Sequence, residues 1–328
     1  MIRLVAVELQ RLRSRRILVL AMLASTLIAG IALFTVDQQA ARIQRAMSGA
    51  DEMLQQQIDY WEENGERDRA DCEQQQEAER RASGDGSIDF ACDQMGPPTA
   101  EQMYGSMPSL AGQYDELLLV MAFPLLLLAL AVGSTLVAAE FTHRTMGSWL
   151  TFVPRRGMVF TSKVLAAALA ALPIVAIGLA LVLLGVPAIF RWRGVDGGGT
   201  QAEWVALAWT CVRILGLATA AGVFGAAAGF LVRHSAVVVG VMLGYLVAVE
   251  GIVGGLLPWL SRYLIGRNVS AVVEYGTSWT TYTNCEQMNG CRELIQTLSF
   301  TQASITLTVI VLLVTALGLV RFLRSDID

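Results

Sequence analysis

The sequence predicts an all-α polytopic membrane protein: six transmembrane helices, both termini cytoplasmic, and a helical extracellular insertion between the first two spans. Three observations carry this. Hydrophobic residues make up 54% of the 328 positions and charged residues only 16%. Apolar stretches long enough to cross about 30 Å of hydrocarbon recur six times, and backbone at that depth has to satisfy its own hydrogen bonds, which favours helices. Basic residues gather on alternate connections, and acidic residues crowd one long segment between them.

In chain order, residues 1–16 (MIRLVAVELQRLRSRR) carry five arginines against one acid and read as a cytoplasmic interfacial helix. Residues 17–36 form the first span. Its apolar run exceeds a signal-peptide core and no small-residue cleavage site follows closely, so it reads as a retained helix. The remaining spans are 117–139, 159–186, 204–232, 235–259 and 303–320, with GIVGGLLPW near the outer end of the fifth. Arg144, Arg155, Arg156 and Lys163 lie at the connection 140–158 and the start of the third span. Arg233 separates spans four and five, and Arg321 and Arg324 begin the tail 321–328. Six crossings put all of these on one side, which the positive-inside bias makes cytoplasmic. The locale is therefore the cell membrane.

Residues 37–115 fall on the opposite side. Ala40, Ile43, Met47, Ala50, Leu54, Ile58 and Trp61 recur at three- and four-residue steps in a polar background, the mark of an amphipathic helix continuing the first span. SGDGS at 83–87 reads as a turn and GPP at 96–98 as a break, with a shorter helix expected around 99–105. The other outer segment is 260–302. Cys72 and Cys92 lie in the first outer segment, and Cys285 and Cys291 in the second; Cys211 sits alone within the fourth span. Oxidised pairs belong to exported compartments, so Cys72–Cys92 and Cys285–Cys291 is the natural pairing of the three possible. The rival is a metal site at CDQM and CEQM. It lacks histidine neighbours, because His143 and His234 both map to the cytoplasmic side.

Catalytic constellations are not found in the sequence. Lys163, in FTSKV, is the single lysine, so no GxxxxGK[ST] phosphate loop exists. There is no HExxH, no nucleophile elbow and no aspartate within a span. The chain is therefore read as a non-enzyme, leaving transport, channel or scaffold functions, with no nucleic-acid partner. Two ionisable residues do lie within spans. Arg213 follows Trp204 by nine residues and Glu250 precedes Trp259 by nine, which puts both about 13 Å below the outer interface. Equal depth on consecutive antiparallel helices suggests an ion pair, since each charge alone is expensive in lipid. Such a pair either lines a transport route or braces two helices.

The connection 140–158 has its own pattern. Glu140 closes the second span, Gly147 and Pro154 allow turns, and SWLTFV between them gives a short apolar helix flanked by His143–Arg144 and Arg155–Arg156. Such a helix either docks in a groove on a cytoplasmic partner or anchors at the lipid interface.

These residues resemble the loop of ABC transporter permeases of the type-2 exporter class. The resemblance rests on Glu140, Thr145 to Gly147, Leu150, Pro154–Arg155–Arg156 and Lys163, with VELQRLRSRR at 7–16 and RFLRSDID at 321–328. It implies a permease dimer enclosing a translocation path, driven by two copies of a separate cytoplasmic ATPase. The 143–157 helix would be the coupling element, and Glu140, His143, Arg144, Gly147, Leu150, Pro154, Arg155 and Arg156 the coupling residues. ATP and Mg would be bound on the partner, with no cofactor in this chain. It also implies short re-entrant helices before the last span, for which the broken apolar segments of 252–275 are suited. The substrate class expected is a hydrophobic or amphipathic small molecule, peptide or lipid. The alternative is a membrane sensor or scaffold, its outer domain binding a ligand and its cytoplasmic helix docking a signalling partner.

Overall fold

The computed structural model describes residues 2–14, 16–84, 87–99, 110, 112–143, 145–147, 155–195, 198–286 and 290–324. The chain divides into two compact units, Met1–Phe34 with Ala111–Pro187 and Gly199–Asp328, and Thr35–Leu110 with Ala188–Gly198.

The first unit begins with α1 (Ile2–Ser14) and the opening turns of α2 (Arg16–Ser83). It continues through α3 (Gly112–Thr142), α4 (Arg156–Arg193) and α5 (Gln201–Val232). Next, α6 (Ser235–Gly244) runs directly into a π-helical stretch, Tyr245–Val253. A 3-10 turn (Pro258–Tyr263) leads to the short α7 (Ile265–Val273), followed by strands β1 (Thr277–Glu286) and β2 (Gly290–Leu298) and then α8 (Phe300–Arg324). Among the described residues, six helices are long and apolar enough to cross a membrane: Arg16–Arg45, Gly112–Thr142, Arg156–Arg193, Gln201–Val232, Ser235–Ile252 and Phe300–Arg324.

Helix α5 organises the packing. Its start is a capping box: Thr200 Oγ1 accepts from the Glu203 N–H at 3.3 Å, and Glu203 Oε2 accepts from the Thr200 N–H at 2.7 Å, so two otherwise unpaired donors are satisfied reciprocally. It ends at Arg233, whose left-handed backbone (φ 63) donates its N–H to Gly229. Between these ends, small residues let neighbouring backbones approach. A Cβ on Gly133 of α3 would collide with the Gly222 carbonyl, and one on Gly225 with the Leu130 carbonyl. A Cβ on Gly222 would sit 2.7 Å from the Ala167 carbonyl of α4, and one on Gly318 of α8 would sit 2.7 Å from that of Ala227. In lipid the apolar surroundings give helices no reason to associate, so dispersion across such close seams has to hold them together. Phe160, Phe230 and Phe322 close one end of this bundle, with ring centroids 4.7 Å and 4.8 Å apart.

Three features differ from the sequence reading. Helix α4 runs from 156 to 193, past the expected 159–186 on both sides, continuing through Pro173 and Pro187. The fifth span gives up helical geometry before residue 259, because Pro258 cannot continue the ladder and opens the 3-10 turn. The architecture is also not purely helical: β1 and β2 form an antiparallel hairpin, with Thr277 opposite Leu298 and Thr283 opposite Arg292. The signal was legible in TSWTTYTNC, a run rich in β-branched and aromatic residues followed by Asn–Gly at 289–290.

The second unit contains the later part of α2 and the returning chain to Leu110. Cys72 and Cys92 are joined, with Cα atoms 5.8 Å apart, which removes both from consideration as metal ligands. Arg80 Nε donates to the Ile88 carbonyl at 2.6 Å, Arg69 Nη2 to that of Met95 at 2.7 Å, and the Phe90 N–H to Gln76 Oε1 at 2.7 Å. Together these lay the returning segment back along the helix. Asp37 and Arg193 form a bidentate pair, with Nε–Oδ1 2.8 Å and Nη2–Oδ2 2.7 Å. The shorter helix expected around 99–105 lies outside the described residues, apart from Thr99.

Candidate functional site

Chemistry-bearing residues gather in the first unit at two places. At one, α1, the end of α3 and the start of α4 converge on Lys163. Its ammonium lies 2.9 Å from Glu8 Oε1 and 2.7 Å from Glu140 Oε2, and all three side chains are almost completely buried. Burying three charges is expensive unless each finds its partner. A lysine suits the junction because three rotatable donors on one point charge can serve two carboxylates from different helices. The sequence reading missed Glu8 altogether. Its signal was a lone acid within a basic amphipathic stretch, together with the chain's single lysine.

This changes the place of two expected coupling residues. Glu140 is turned inward as a fixture of the triad. Arg156, the first residue of α4, donates from Nη1 to the carbonyls of Phe322 and Leu323 at 3.4 Å and 3.2 Å. A guanidinium there satisfies carbonyls left unpaired at the C-terminal end of α8 and complements its dipole. His143 and Arg155 are exposed, Gly147 is half-buried, and Met146 between them is buried in the core. Arg144, Leu150 and Pro154 lie outside the described residues, as does most of the SWLTFV segment.

The second place holds Arg213 and Glu250, which the structure does not bring together. Arg213 Nη2 donates to Thr210 Oγ1 at 2.6 Å, its guanidinium carbon lies 5.4 Å from the centre of the Tyr275 ring, and its buried Nε finds no hydrogen-bond acceptor. Glu250 instead meets the start of α7: its Oε1 accepts from the Gly266 N–H at 2.5 Å, while the Tyr245 hydroxyl accepts from the Ile265 N–H at 3.0 Å. The π-helical stretch explains how both reach one helix end. Residues five apart diverge by about 140° on an α-helix, whereas i→i+5 bonding brings them towards one face. The Glu250 charge is thus stabilised by free amide groups and a helix dipole. Gly266 leaves room for this contact, because a Cβ there would displace the Glu250 carboxylate.

At the other end of α7, the Gly276 N–H reaches back to the Ala271 carbonyl at 2.7 Å and Glu274 to Ser270 at 2.9 Å. This closure puts Tyr275 in the left-handed region (φ 64), where a glycine is usual. Its ring stacks on Phe300, centroids 5.0 Å apart. Cys285 and Cys291 fall on the paired strands β1 and β2; their side chains lie outside the described residues. Cys211 is a free thiol.

A six-helix bundle of membrane-crossing length, held by small-residue seams, defines a multi-pass membrane protein. Over residues 7–327 the sequence matches the family described as ABC-2 family transporter protein, and the chain belongs to that family, a membrane transport component. Comparison with curated proteins and with solved structures gives no match.

Proposed function

We propose that this chain is the permease subunit of an ABC exporter in the cell membrane, working as a pair of permeases and driven by a separate cytoplasmic ATPase with its ATP and Mg. The substrate is a hydrophobic or amphipathic molecule. The observation that carries the reading is the family match across nearly the whole chain in a sequence that has no phosphate-binding loop of its own. The 143–157 connection is the coupling element. Its support is the buried Glu8–Lys163–Glu140 junction and the Arg156 contacts to the end of α8, which tie both flanks of that connection into the bundle. A push on the connection is then delivered to α1, α3, α4 and α8 as packed bodies rather than absorbed locally. Arg155 and His143, exposed on those flanks, are the side chains free to meet the ATPase.

Affinity purification of the full chain from its native membrane tests this. An ATPase carrying a phosphate-binding loop should co-purify, and its hydrolysis should rise when the permease is present. Recovery of a signalling protein with no ATPase would favour the sensor reading and overturn this one.

A further inference from the structure

We infer that a single permease chain holds an amphiphile with a zwitterionic head and one apolar tail, in a site formed by α3, α5, α7 and α8. This deepens the export reading above and rests on it for its physiological meaning, although the binding itself does not. The same four helices line two cavities in succession. One cavity, of about 1170 Å³, is bordered by Asp115 of α3, Trp209 and Arg213 of α5, Glu274 and Tyr275 at the end of α7, and Phe300 of α8. The other is an apolar crevice bordered by Phe123 and Leu130 of α3, Leu217 and Phe224 of α5, Val269 of α7 and Leu307 of α8. On α3, α5 and α8 the crevice residues lie one to several turns further along the chain than the cavity residues, and on α7 they lie about one turn or more before them. Leu217 and Leu307 of the crevice pack in one apolar cluster with Phe300 of the cavity, so the two are joined by a common wall.

The head is identified by charge. The Arg213 guanidinium borders the cavity as its one lining cation among the described residues, which favours an anionic oxygen there. Asp115 and Glu274 are exposed in the same cavity, so one cation stands against two carboxylates. A purely anionic head would meet the arginine but be opposed by both acids. A purely cationic head would be opposed by the arginine. A phosphate or carboxylate oxygen on Arg213, with an ammonium beside the acids and Trp209, answers both signs of charge.

The test is direct binding to the full chain held in amphipol, with probes kept below their micelle concentrations. Dodecylphosphocholine and dodecyl betaine separate a phosphate from a carboxylate head. Dodecyl phosphate, dodecyltrimethylammonium and tail-free phosphocholine each remove one feature. At least one zwitterionic dodecyl probe should bind about tenfold or more tightly than the three partial probes, since a charge-assisted hydrogen bond is at stake. Arg213→Gln should lose that margin. Ala220→Phe, which fills the crevice without touching the head cavity, should weaken the dodecyl zwitterion and keeps the test alive if the arginine variant does not fold. Equal binding of all dodecyl probes, or undiminished binding by both variants, overturns the proposal. Recovery of the ATPase with the permease is scored separately, so loss of this site and loss of the export reading are told apart.

Discussion

Counting residues sets Arg213 and Glu250 at comparable expected depths on neighbouring spans, yet each answers to a different group. Depth follows from counting residues, but pairing also requires helical phase, and the π-helical stretch Tyr245–Val253 resets that phase between Ser235 and Glu250. No periodicity in an all-apolar segment announces it. Because the two side chains have separate partners, Arg213→Leu and Glu250→Leu should destabilise additively, with a coupling energy within about 0.5 kcal/mol in a double-mutant cycle. Thermal unfolding in detergent measures it, and strong non-additivity would restore the ion pair. Lys163 behaves differently. Lys163→Met leaves two buried carboxylates facing each other and should cost about 3–5 kcal/mol. Glu8→Gln, which keeps the Lys163–Glu140 contact, should cost less. If the two variants are equally mild, the triad is not the junction described here. The lone lysine was visible in the sequence, but its partner Glu8 lies 155 residues away, and nothing local connects them.

At the scale of elements, the long apolar helices were readable because membrane thickness dictates their length. Their ends were less so. Helix α4 extends to Arg193, where that residue pairs with Asp37, a tertiary contact outweighing the Pro187 break. The β-hairpin was missed because an expectation of re-entrant helices displaced the alternation in its own sequence; α7 is helical and the hairpin follows it. Seams between helices give the sharpest element-level prediction. Gly225 abuts the Leu130 carbonyl backbone, which cannot swing aside like the end of a flexible side chain. Gly225→Val should therefore destabilise the bundle by about 3 kcal/mol or more, whereas Gly216→Val, with open space around its Cα, should be near neutral. Melting temperatures of the two variants compare them, and equal effects would show that α5 does not pack as described.

For the whole molecule, composition, alternating basic connections and the family resemblance pointed to one answer, a six-span permease. Its local machinery emerged only once distant residues were brought together. The second unit is stapled by Cys72–Cys92 across 20 residues, a loop whose closure is worth about 3 kcal/mol. Cys72→Ser with Cys92→Ser should raise protease sensitivity between residues 84 and 99 while the six spans remain inserted; unchanged cleavage would mean the Arg80, Arg69 and Gln76 contacts suffice alone. The central claim is that the 143–157 connection conveys ATP-driven motion from a partner. A photo-activated cross-linker placed at Thr151 of the full chain, expressed with its co-purifying ATPase in native membranes, tests this most directly. The account predicts a cross-link to the ATPase that changes in yield on adding ATP and vanadate, and that is lost with Arg155→Glu. Cross-linking to lipid alone, unchanged by nucleotide, would contradict it and leave the connection an interfacial anchor.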